Sequence, residues 1–191
     1  MRKYAFAVTV VLAVGTALPL SAQISSPREG GYFALGLGAG VTNIDKCINC
    51  GSEGTNTSFT GFFRIGGTIS PQWLAAVEAG GWYQSGAGYT ARLLTIAAIV
   101  TFYPLSNGLK INGGIGGALF REDFATNENA ANGIIWRVGA GYDISLKEVV
   151  SISPFVDLVY APELNQKRNG LATFNNMKLI LVQIGVSLVG H

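Results

Sequence analysis

Histidine is almost missing from this chain: there is one, His191, and it is the last of 191 residues. A hydrolytic triad or a His-rich metal centre therefore has nothing to assemble around. Cysteine is limited to Cys47 and Cys50, too few for a disulfide scaffold. Charged residues make up only 13% of the sequence. Of 13 basic residues, Arg2 and Lys3 lie in a segment expected to be removed, which leaves 11 against 11 acidic ones. A balanced mature chain has no nucleic-acid footprint. The 26 glycines follow no Gly-X-Y period, which excludes collagen, and the 49% hydrophobic content argues against disorder. Beyond residue 22 no apolar run reaches the about 20 residues a membrane helix needs.

What is present begins with an export signal. Arg2 and Lys3 precede an almost uninterrupted apolar stretch over residues 5–20, and Ser21-Ala22 offers a small residue before Gln23. This order predicts a cleaved signal peptide over 1–22 and a single mature domain over 23–191.

From Gly30 onward the apolar residues alternate at period two, in stretches longer than strands of compact soluble domains usually are. Eight strands are expected, at about 31–41, 59–69, 73–83, 89–103, 109–119, 134–144, 150–160 and 177–189. In the first, Phe33, Leu35 and Leu37 oppose Gly36, Gly38 and Gly40; in the last, Val182, Ile184, Val186 and Leu188 oppose Gln183, Gly185 and Ser187. Pro154, inside the seventh, predicts a local bulge because it removes a ladder donor. Intervals 42–58, 121–133 and 161–175 read as long loops, alternating with short turns at 70–72, 104–108 and 145–148 apart from a short connection near Ser85-Gly86. Long loops on one side and short turns on the other suit an outer-membrane barrel with periplasmic turns and termini. An even set of antiparallel strands can close and leave no edge, so the expected fold is all-β: a closed, antiparallel, eight-stranded, up-and-down transmembrane barrel.

The barrel inverts the usual pattern, with the apolar face toward lipid and the charges inside. Arg64, Glu78, Lys110, Arg137, Asp143 and Asp157 are expected to point inward as a neutralising network that fills the lumen. Arg92 has the parity of the lipid face but lies near a rim, and Glu122-Asp123 falls in a loop interval. The Cys47-Ile48-Asn49-Cys50 motif suits thiol chemistry or half a tetrahedral metal site. In an exported polar loop with no second cysteine pair, it reads foremost as a loop disulfide that leaves the barrel untouched, with free thiols or weak metal binding behind it. No metal site and no cofactor are expected. Tyr32, Trp73, Trp82, Tyr83, Tyr89, Phe102, Tyr103, Phe120, Trp136, Tyr142, Phe155 and Tyr160 fall mostly toward strand ends, as interfacial girdles would.

Taken together, the signal-like start, the glycine-rich first strand over 30–40 and the final alternating strand over 178–188 resemble the small outer-membrane β-barrel family that includes the OmpA and OmpX membrane domains. The chain departs from that family in ending Leu188-Val189-Gly190-His191 instead of on an aromatic residue, and nothing after the eighth strand suggests a peptidoglycan-binding domain. The resemblance implies residence in the outer membrane of a Gram-negative-type bacterium. It also implies contact with outer-membrane lipid and lipopolysaccharide, and insertion by the barrel-assembly machinery. The expected function is a non-enzymatic structural or surface-interaction role, with loops presented to an extracellular ligand. A narrow, porin-like passive channel gated by the inward charges is the alternative, and a lipid-modifying enzyme is disfavoured for want of an internal histidine.

Overall fold

Every strand residue of this chain must place its N–H and C=O in a ladder, and the chain does so by forming a ring. The structure, a computed structural model, describes residues 30–47, 50–86, 88–105, 108–124, 127–147 and 149–191; the expected signal peptide lies outside them. The strands are β1 (Gly31–Asp45), β2 (Gly54–Ser70), β3 (Trp73–Gly86), β4 (Tyr89–Phe102), β5 (Leu109–Phe124), β6 (Asn127–Tyr142), β7 (Ile144–Lys147), β8 (Val150–Arg168) and β9 (Leu171–Gly190). Neighbours in sequence pair antiparallel, β6 and β7 both pair with β8, and β9 returns to β1. Because β6 and β7 are one stave interrupted at Asp143, the result is a closed eight-stave barrel.

Side-chain alternation is as the period-two reading expects. Along β1, Tyr32 and Ala34 are buried while Phe33, Leu35 and Leu37 face out. On the outer face, Leu35 is 50% exposed, Ile65 59% and Ile96 61%, part of an apolar belt around the whole barrel. A soluble monomer does not tolerate so continuous a patch, whereas lipid covers it.

The connections differ from expectation. The three intervals read as long loops are mostly strand: β5 and β6 meet across 125–126, and β8 and β9 across a turn at Asn169 and Gly170. Both turn residues have positive φ, 48° and 81°, the pairing that a tight two-residue hairpin requires. The span between β1 and β2, 46–53, is the widest gap between the strands described on that side. The distal end is therefore a rim of hairpins standing above the apolar belt.

Pro154 causes no bulge. The β8–β9 register runs unshifted from Val150↔Gly190 to Ala161↔Leu179. On its other side the β6–β8 ladder stops at Gly141↔Phe155 and resumes as β7–β8 at Ile144↔Ile152, so the proline lies where its neighbour already breaks. The bulge falls instead between Ala161 and Leu164, across Pro162 and Glu163, and shifts the inward set from odd to even numbers.

Closure depends on the β1–β9 seam, where Gly38 sits opposite Gly185. A Cβ on either would run into the other strand's backbone: on Gly38 into the Ile184 carbonyl, on Gly185 into that of Leu37. Gly38→Val should therefore open the seam and lower the temperature at which the folded band is lost in unboiled detergent gels, while an outward control, Ala39→Val, should not. The wild-type barrel itself should migrate differently unheated and boiled, and a single position under both conditions would contradict a closed barrel.

Candidate functional site

Each inward charge predicted from sequence projects into the lumen, and all six are at most 3% exposed. They form two separate groups. In the larger, Arg64 on β2 places Nε 2.5 Å from Glu78 Oε2 on β3 and Nη2 3.1 Å from Asp157 Oδ2 on β8. Arg137 on β6 pairs with the other Glu78 oxygen and places Nη2 2.6 Å from Asp157 Oδ2. Two guanidinium groups and two carboxylates thus close a ring across the barrel with no net charge. Arg137 also donates to Gln183 Oε1 at 2.9 Å, Asn112 donates to Asp157 Oδ1 at 3.2 Å, and Gln183 donates to Thr60 Oγ1. In a low-dielectric interior such a set is tolerable because nearly every charge is shared.

Aromatic rings complete the layer. The Arg64 guanidinium lies 4.3 Å from the centre of the Phe62 ring, and Phe62 meets Phe155 edge-on at 5.0 Å. Below it, at the end carrying the termini, Lys110 Nζ is 2.6 Å from Asp143 Oδ1, and Tyr103 donates to Asp143 Oδ2 at 2.8 Å. His191 Nε2 lies 3.9 Å from the same carboxylate, so the terminal histidine is tucked against the plug, against Tyr32 and Tyr103.

Above the charged ring the lumen lining is mainly apolar, with Glu122 and Gln166 buried at the same end. Ile44, Trp82, Leu93, Phe120, Ile135, Leu164, Met177 and Leu179 form one buried cluster. Cys47 and Cys50, from the connection between β1 and β2, pack into it. Cys47, 4% exposed and bonded to Cys50, belongs to that cluster, and the Gln166 side chain donates to both sulfurs. The disulfide is therefore part of the lumen packing, a correction to the reading that it leaves the barrel untouched. Glu122, assigned by sequence to a loop, is fully buried on β5 and accepts hydrogen bonds from Gly51 N at 2.8 Å, Ser52 N at 3.0 Å and Ser52 Oγ. It ties the segment down.

The aromatic girdle is also only partly as expected. Trp73, Tyr83 and Trp136 face outward, but Tyr32, Trp82, Tyr103, Phe120 and Phe155 are buried inside. Their position along a strand fits a girdle; their parity does not.

Against solved structures the barrel finds clear partners in shape. Neisserial surface protein A superimposes with a TM-score of 0.60 at 14% identity, covering 85% of this chain and 99% of that one. Ail of Yersinia pestis, solved with the heparin analogue sucrose octasulfate, gives 0.54 at 10% identity over 84% and 99%. OprG of Pseudomonas aeruginosa gives 0.53 at 12% identity over 86% and 98%. The fold is that of the small outer-membrane β-barrels. No protein family and no curated protein sequence matches the chain.

Within that barrel, the polar partners that sequence reasoning passed over are Tyr103, Asn112, Glu122, Gln166 and Gln183. Inward parity alone marked Asn112 and Gln183. Nothing local marked Glu122 or Gln166, because both lie in intervals read as loops, although Asn169-Gly170 carries a hairpin signature that would have extended β8 and β9 through the third.

Removing Asp157 strips Arg64 and Arg137 of a shared counter-charge. Asp157→Ala is expected to cost about 3–5 kcal/mol, the scale of an orphaned buried charge, read by urea titration of the barrel in detergent micelles. An exposed pair such as Arg92 and Asp123, 3.4 Å apart with side chains half exposed, should lose no more than about 1 kcal/mol when Asp123→Ala breaks it.

Proposed function

We propose that this protein is a non-conducting barrel of the outer membrane of a Gram-negative-type bacterium, inserted by the barrel-assembly machinery. It acts without enzymatic chemistry, as a surface scaffold whose distal hairpin rim meets extracellular partners. The observation carrying this reading is the lumen itself. The Arg64, Glu78, Arg137 and Asp157 ring, with Phe62 and Phe155 packed against it, occupies the cross-section, and an apolar cluster fills the space above.

Conduction through this interior would require desolvated charges to part, and each would then stand unpaired in a low-dielectric space. A gate is normally held by contacts weak enough to break on the time scale of passage; here each carboxylate of the ring has two cationic partners. Rigidity of that kind suits presentation. The β8–β9 hairpin tip is anchored to β6, with Asn169 N donating to Glu128 O at 2.9 Å and Glu128 N to Asn169 Oδ1 at 3.0 Å, so the rim is held as a surface. Ail, the similar barrel solved with a heparin analogue, offers a precedent for a sulfated sugar on a scaffold of this size.

Planar-bilayer recording distinguishes the two roles. The wild-type barrel should show no steady conductance, and neutralising Glu78 as Glu78→Gln should not create a uniform unitary step. A reproducible wild-type conductance that changes with Arg64→Gln would instead establish the narrow passive channel.

A further inference from the structure

Cys47, Cys50, Gly51 and Ser52 are held at the distal mouth of the lumen by two fastenings of different chemistry. One is the buried carboxylate of Glu122, which accepts hydrogen bonds from Gly51 N, Ser52 N and Ser52 Oγ. β5, which carries Glu122, is four staves from β1 in a ring of eight, so this contact spans the mouth. The other is the disulfide between Cys47 and Cys50. Cys47 follows β1 within two residues and packs in the apolar cluster, while Cys50 directly precedes Gly51. The bond therefore ties the two N–H donors to the end of β1 by a shorter covalent path than the backbone, and offers them to Glu122 already in place.

Glu122 gives this arrangement two stable forms. It is fully buried, and among the described residues no cation lies within ion-pair distance of it. A carboxylate so placed is tolerated with its donors or with water, and not with neither. While the donors stay, Cys47, Trp82 and Phe120 pack together and water is kept out. Once they leave, water has to enter the mouth in their place. The two sulfurs also differ in access: Cys47 is 4% exposed, whereas Cys50 is partly exposed at the rim. An incoming thiolate meets Cys50 first.

We infer that the disulfide between Cys47 and Cys50 is a redox latch on the distal rim. Oxidised, it holds Gly51 and Ser52 on Glu122 and shuts the apolar half of the lumen from water; reduced by a dithiol, it lets them go. The thiolate of the dithiol attacks Cys50 Sγ and forms a mixed disulfide, and Cys47 leaves as a thiolate that takes up a proton. The second thiol of the reductant then displaces Cys50, so the protein gains two electrons and two protons and the reductant departs as its own cyclic disulfide. The Arg64, Glu78, Arg137 and Asp157 ring lies below and is untouched, so the barrel stays closed to ions in both forms. The latch builds on the proposed role of the rim: partners meet a sealed mouth in one state and a hydrated one in the other.

Hydrogen exchange read by mass spectrometry on the purified barrel in detergent micelles, with and without dithiothreitol, tests the latch. Iodoacetamide should label both cysteines of the folded barrel after reduction and neither before. Exchange at Gly51 and Ser52 should then accelerate about tenfold, the worth of a charge-assisted hydrogen bond. With Trp73→Phe and Trp136→Phe, Trp82 is the one tryptophan left, and acrylamide should quench it more strongly in the reduced barrel. Cys47→Ser with Cys50→Ser should match the reduced form without dithiothreitol. Glu122→Gln, with the disulfide intact, should exchange fast in both states. The gel shift on boiling should persist throughout. Unchanged exchange and quenching after complete labelling overturn the latch, as does a redox response that survives Glu122→Gln. A disulfide that dithiothreitol reaches only in the unfolded chain overturns it too, and so does loss of the gel shift on reduction, because the bond would then hold the barrel itself. Steady conductance of the oxidised barrel would count against the plugged scaffold alone.

Discussion

Hydrocarbon offers no partner to a peptide group, and the rest of this structure follows from that constraint. Each unpaired N–H or C=O in the bilayer would cost several kcal/mol, so the sheet has to close. Closure is made where β9 meets β1, thirteen residue pairs from Phe33↔Gly190 to Asp45↔Lys178. The facing Gly38 and Gly185 let the two backbones approach there, which makes residues without side chains the condition for a ring with no edge.

A ring of eight staves leaves a narrow interior that has to be filled. Here it is filled in layers: Lys110 with Asp143 near the termini, the four-charge ring in the middle, and a hydrophobic cluster under the distal rim. The middle layer is the costly one, since four ions leave water. It is sustained by balance, two positive and two negative groups each with more than one partner, and by further hydrogen bonds from Asn112 to Asp157, from Arg137 to Gln183 and from Gln183 to Thr60. The upper layer behaves like the core of a soluble protein, with Glu122 as a buried anchor for the backbone that covers it.

The outer surface follows a simpler rule, because lipid asks only that it be apolar. Outward glycines at 61, 81 and 117 interrupt a belt of Leu, Ile and Val, and the cross-strand partners Arg92 and Arg121 stand where the belt ends.

Sequence by itself determined the strand character, the parity of six charged inner residues and the closure of an even set of strands, because period-two alternation is local and the side that meets lipid must be apolar. It placed Arg64, Glu78, Lys110, Arg137, Asp143 and Asp157 inside and Arg92 on the outer parity. Which charge meets which was decided only by the tertiary structure: Arg64 and Asp157 are far apart in sequence and face each other because the ring brings β2 opposite β8. The same holds for Glu122 and Ser52, for the disulfide's place in the packing, and for Tyr32, Trp82, Tyr103, Phe120 and Phe155 turning inward. Polar composition marked 121–133 and 161–175 as loops, yet hairpins above the bilayer need no apolar face, so nothing in their hydropathy separated strand from coil. Composition reports what surrounds a residue; only the closed ladder fixes what it touches.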